Sequence, residues 1–98
     1  MIVAYAPNIF DRSRFGDRVR FVETPAEAAG LGPDVIFVDL DRCQDPAGFR
    51  LDGAEVIGFG PHVESEQHDR ARLLGYDEVL PRSLFFRRLP DLLAEIQT

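Results

Sequence analysis

Five short apolar runs, at residues 2–6, 19–22, 35–40, 56–59 and 79–80, punctuate the chain without a sustained apolar–polar alternation. A strand with one face in water alternates, whereas a strand that is apolar on both sides has to be covered on both sides. Such strands belong in a parallel sheet held between two layers of helix. The run Val35-Ile36-Phe37-Val38 is β-branched or aromatic throughout and reads as the central strand.

The segments between these runs carry helix signals of unequal strength. Thr24-Pro25-Ala26-Glu27 combines an N-cap threonine, a first-turn proline and a capping-box glutamate, and Gly30, Gly32 and Pro33 stop that helix early. Residues 64–74 open acidic, carry arginines in their second half and end on Gly75, which predicts a helix with a glycine C-cap. Ser83 is expected to cap a last helix with an apolar face of Leu84, Phe85, Leu89, Leu92, Leu93 and Ile96, kinked or restarted at Pro90. Residues 8–18 read as a weaker helix anchored by Ile9, Phe10 and Phe15 and interrupted by Gly16. Pro46, Gly48 and Gly53 leave room only for a turn or one helical coil over residues 45–53. A strand–helix unit takes about 21 residues, so five units need about 105. The chain has 98, and one or two of its crossover helices must be shortened.

Right-handed crossovers with helices on both faces give a doubly wound sheet. The expected fold is therefore α/β and flavodoxin-like, a five-stranded parallel sheet in the order 2-1-3-4-5. Ligands would sit at the carboxyl ends of its first and third strands. No repeat or linker divides the sequence, so residues 1–98 read as a single domain.

Charge narrows the function classes. The eleven basic residues are all arginine and seventeen acidic ones give a net charge of −6. Without lysine there is no Schiff-base chemistry and no Walker-type phosphate loop. An acidic chain is poorly suited to nucleic acid or anionic membrane. No apolar run nears the roughly 20 residues that cross a bilayer, and the amino terminus lacks the pattern of a signal peptide. A cytoplasmic location is the expectation. The single cysteine, Cys43, allows neither an internal disulfide nor a multi-cysteine zinc site, and beside Asp41 and Arg42 in a loop it reads as unreactive.

At the expected carboxyl ends stand Ala6-Pro7-Asn8, Asp39-Leu40-Asp41, Gly60-Pro61-His62 and Pro81-Arg82-Ser83. With the stretch Gly75-Tyr76-Asp77 leading into the fifth strand, this order resembles the receiver domains of bacterial response regulators over nearly the whole chain. The resemblance implies that Asp39 is the phosphoacceptor equivalent. It also implies two acidic residues after strand 1 to hold Mg²⁺, a hydroxyl ending strand 4 and a lysine ending strand 5. Those positions fall here on Ala6-Pro7-Asn8, Gly60 and Arg82. Asp39 and Asp41, with the Asn8 amide, make a thin set for a hard cation that favours carboxylates. Asp11 is set aside as lying inside the first helix. Arg82 can grip a carboxylate without any metal, which predicts an Asp39–Arg82 contact that imitates a phosphorylated arrangement.

Other candidates are weighed beside these. His62 with Asp39 and Asp41 could form a zinc or iron site, against the simpler reading of a loop histidine bonded to backbone. His68, among Glu66, Asp69 and Arg70, reads as solvated surface. Arg12, Arg14, Arg18 and Arg20, interleaved with Phe15 and Phe21, read as a solvated face rather than a phosphate contact. In Leu84-Phe85-Phe86-Arg87-Arg88, adjacent rings cannot share one narrow core stripe, and an exposed aromatic beside arginines suits an interface. The resemblance places a partner or homodimer surface there, on the side of the fourth strand and last helix.

The expected function is an atypical receiver, or pseudo-receiver, that works by protein–protein interaction. It is not an enzyme and needs no cofactor or metal. One alternative is a receiver phosphorylated on Asp39 with Mg²⁺; another is a metal- or cofactor-binding flavodoxin-like protein, although no glycine-rich phosphate loop follows strand 1.

Overall fold

The apolar runs become five strands in the computed structural model, which describes residues 1–60 and 66–96: β1 Ile2–Tyr5, β2 Val19–Phe21, β3 Val35–Asp39, β4 Glu55–Gly60 and β5 Glu78–Pro81. Every pairing is parallel and the order is β2-β1-β3-β4-β5, the α/β arrangement that the sequence predicts. β3 is buried along its whole length at the centre of the sheet.

Period-two side-chain direction splits the core into two layers. Ala4, Phe37, Ile57 and Phe59 face one way, against Phe15 and the last helix. Val3, Ile36, Val38 and Val56 face the other, against Val22, Phe49 and Ala71. Helices α1 Ile9–Arg12, α2 Pro25–Leu31, α3 Glu66–Leu73 and α4 Arg82–Ile96 cover them, and a single 3-10 turn, Pro46–Phe49, stands between β3 and β4. The shortened crossovers are those two, α1 and the 3-10 turn.

Local chemistry explains the boundaries. Thr24 Oγ1 accepts the Glu27 N–H at 3.1 Å, Pro25 opens α2 and Gly32 closes it with φ of 59°. The Asp77 carboxylate accepts the Val56 N–H at 2.7 Å, tying the entry of β5 to β4.

Four expectations need correction. The first helix ends at Arg12, because the chain turns out of it and reaches Gly16 at φ of 76°. Ser83 is not a cap: β5 passes directly into α4, with Pro81 still paired to Gly60 and Arg82 already helical. Of the kink or restart expected at Pro90, the restart is absent, since α4 is one helix through that residue. Phe85 and Phe86 both join the core, Phe85 fully buried and Phe86 half-buried, because an aromatic cluster of Phe15, Phe37 and Phe59 receives both rings. Of the predicted helix at 64–74, the first two residues lie outside the described part of the chain.

Candidate functional site

Three elements deliver charge to one point at the carboxyl end of the sheet. β3 ends on Asp39, whose side chain is 1% exposed. Asn8 caps α1, its Oδ1 accepting the Phe10 N–H at 2.9 Å, and the single turn that follows directs Asp11 inward until the residue is 4% exposed. The immediate passage from β5 into α4 sets Arg82 opposite both. Its guanidinium forms an ion pair with Asp11 and lies 4.0 Å from Asp39 Oδ2. The rings of Phe59 and Phe86 flank that guanidinium at 5.9 and 5.3 Å.

The expected meeting of Asp39 with Arg82 therefore takes a different form. Asp11, set aside from the sequence as lying inside the first helix, is the close partner, and Asp39 stands beyond hydrogen-bonding reach at a distance where charges still attract. Asp39 Oδ1 accepts the Asp41 N–H at 3.1 Å, while Oδ2 of Asp39 and Oδ2 of Asp11 accept no hydrogen bond from the described residues. Asn8 signals where the turn begins, but not which side of it faces the fold, so the sequence carried no clear sign that Asp11 turns inward.

Burial pushes the Asp39 carboxyl above its ordinary pKa. The opposing pull of Arg82 and of the Asp41 N–H is the smaller effect, and the Asp11 and Asp41 charges add to the rise. The folded state thus holds the proton more tightly than the unfolded chain does. Its contribution to stability is complete below the ordinary value of 3.8 and is lost as pH climbs through the raised value. Asp39→Asn, which keeps an oxygen for the Asp41 N–H, is expected to raise the melting temperature at pH 7 by a few degrees. The gain should shrink toward zero below pH 3.8, and thermal melts across that range check it.

The remaining site residues divide. Asn8 is occupied as a helix cap, and Asp41 is exposed and offers the site its N–H. Gly60 is buried at the end of β4, and a Cβ on it would lie 2.6 Å from Nε2 of His68. His68 is not surface, as its charged neighbours suggested, but has no exposed area at all. It shares the inner side of α3 with Ala71, three residues on, and that spacing was the available signal. His62 lies outside the described residues, so the metal reading built on it has no geometry here.

Among the described residues no group of three His, Cys, Asp or Glu side chains is placed to hold a metal ion. Magnesium fits the residues present poorly for a further reason: Arg82 already supplies a permanent positive charge to the two buried carboxylates. Cys43 is half-buried and its thiol is pushed up to about 11, mainly by burial, opposite to the shift that activates a thiol.

The arginine cluster is dispersed by its contacts. Arg12 donates to the Ala6 carbonyl at 2.9 Å and to Glu23 at 3.1 Å, and Arg14 lies 4.9 Å over the Phe86 ring. In the expected interface segment Leu84 and Phe86 are half-buried against the core, Phe85 is inaccessible, and Arg87 and Arg88 are exposed. Large apolar side chains stand exposed elsewhere, at Met1, at Leu73 on α3 and as an adjacent pair on α1, where Ile9 is 71% and Phe10 80% exposed. The sequence reading placed both in the core, yet one helical turn has a single inward direction and Asp11 occupies it.

No family model matches the chain. Comparison with curated proteins and with solved structures likewise finds no match. Among the described residues no helix is long and apolar enough to cross a membrane.

Proposed function

We propose that the chain is an atypical receiver, a flavodoxin-like signalling module that recognises a protein partner and does not switch by aspartyl phosphorylation. The observation that carries this reading is the Arg82 guanidinium set between the buried carboxylates of Asp11 and Asp39. A receiver-type phosphoryl transfer needs a cation to screen the incoming anion and an ionised acceptor. Here the cation is a side chain already paired with Asp11 and set 4.0 Å from Asp39 Oδ2. The hydroxyl that would answer a phosphoryl group is missing at Gly60, and His68 fills the space.

Recognition on this reading uses α1. Ile9 and Phe10 stand exposed beside the Asp39 site, and an aromatic with an aliphatic neighbour can anchor a contact at modest entropic cost. The test is treatment with acetyl phosphate or beryllofluoride in the presence of Mg²⁺. Neither a mass increase nor a shift in melting temperature is expected. Stoichiometric modification of Asp39 would replace this reading with the phosphoacceptor one.

A further inference from the structure

Two buried carboxylates share one guanidinium at the head of α4, and the sharing is unequal. Arg82 pairs closely with Asp11 and stands 4.0 Å from Asp39 Oδ2, a distance at which charges attract but no hydrogen bond forms. One cation cannot satisfy both acids, and each keeps an Oδ2 that accepts nothing from the described residues. The side chain that would move between them is about one-third exposed, so it has room to turn.

Asp11 is also the only buried residue of α1, a helix of four residues. A single turn is not stable by itself, because its nucleation cost exceeds the return from its few hydrogen bonds. Ile9 and Phe10 contribute little burial. What holds α1 down is the Asp11–Arg82 pair, the Arg12 contacts with Ala6 and Glu23, and the Asn8 cap.

We propose that Asp11 and Asp39 compete for Arg82, so that the charge carried at Asp39 sets how firmly α1 and its exposed Ile9 and Phe10 are held to the fold. The other groups near Asp39 are Asp41, from the loop after β3, the Tyr5 hydroxyl of β1 and the Cys43 thiol, both close enough to feel its charge, and the Phe59 ring of β4 beneath the guanidinium. Neutralising Asp39 leaves Arg82 wholly to Asp11 and tightens α1. A hydrogen-bond donor or cation from a partner, arriving at Asp39 Oδ2, has the same effect. Added negative charge at Asp39 draws the guanidinium away and loosens α1. Partner recognition on α1 and the state of Asp39 thereby become one equilibrium.

The coupling rests on the proposed function only in taking α1 as the recognition surface. Modification by acetyl phosphate can overturn that reading while the competition stands, and the converse holds as well.

Amide hydrogen exchange on the full chain tests it. The reporters are the N–H groups of Asp11, Arg14 and Phe15, bonded to the carbonyls of Asn8, Asp11 and Arg12, with β3 amides as the internal reference. Asp39→Asn is expected to slow the α1 reporters by about threefold or more relative to β3, and Arg82→Gln to speed them roughly tenfold. In the Arg82→Gln background, Asp39→Asn should leave α1 unchanged. If Arg82→Gln does not fold, Asp11→Asn serves as the second background, since neutralising Asp39 then has nothing to return to α1. The proposal is overturned if Asp39→Asn leaves α1 exchange unaltered in the otherwise native chain, or slows it equally in either background.

Discussion

Phe85→Ala is expected to cost about 3–5 kcal/mol of unfolding free energy. The ring has no exposed area and stands between the sheet and α4. It stacks on Phe59 at 4.3 Å with planes 8° apart, and meets Phe37 edge-on at 5.3 Å and Phe86 at 5.1 Å. Truncation removes the transfer energy of a whole aromatic side chain and leaves a cavity walled by four other rings, those of Phe15, Phe37, Phe59 and Phe86, which cannot collapse without leaving their rotamers. The paired-ring geometry adds about 0.5–1.5 kcal/mol per contact beyond area. A domain of this size has about 5–15 kcal/mol in total, so the variant approaches the limit of folding. Urea unfolding read by circular dichroism gives the loss directly. Phe85→Leu should recover much of it, and Phe86→Ala should cost less because that ring is only half-buried. A loss below about 1 kcal/mol for Phe85→Ala would contradict the central packing of this ring.

The position of Phe85 shows how far the sequence could be read. Strands buried on both faces must be apolar at every position, so runs such as Val35-Ile36-Phe37-Val38 announce the parallel sheet, and the order 2-1-3-4-5 is the natural choice for five doubly wound strands. Side-chain direction on helices is harder. Phe85 and Phe86 differ by about 100° around α4, too much for a narrow stripe. The cluster around Phe15 and Phe59 is wide enough to receive both, and that width belongs to the tertiary structure. For α1 the difficulty is length. Read as an eleven-residue segment, it buries Ile9 and Phe10; as the single turn Ile9–Arg12, it exposes both and turns Asp11 inward. The same change of length moves the candidate site from an Asp39–Arg82 pair to a triad. Asp39 was legible because it ends a strand, where direction is set by the pleat, and Arg82 because it directly follows the last residue of β5.

Gly60→Ser is expected to destabilise the fold by about 1–3 kcal/mol, the range for forcing atoms into a packed interior. A Cβ at this position would sit 2.6 Å from Nε2 and 3.3 Å from Cδ2 of His68, before the hydroxyl is counted. The imidazole is the end of a side chain, but it has no exposed area and α3 holds it against the sheet with Ala71 beside it. Rotating it away means moving a fully buried ring or lifting α3. His68→Ala alone also costs stability, because it opens a cavity over Gly60. Together the two changes should be cheaper than their sum by about 1–2 kcal/mol, since each removes the obstacle or fills the space that the other creates. A double-mutant cycle by urea unfolding measures that coupling. An unchanged midpoint for Gly60→Ser, or additive costs, would show that the ring yields freely. The expected result bears on the proposed function. A receiver that had lost only its hydroxyl could regain it by one substitution, whereas here the space is taken, and restoring the group requires two changes on two elements. On that proposal, the absence of a hydroxyl at position 60 is part of how α3 packs on β4.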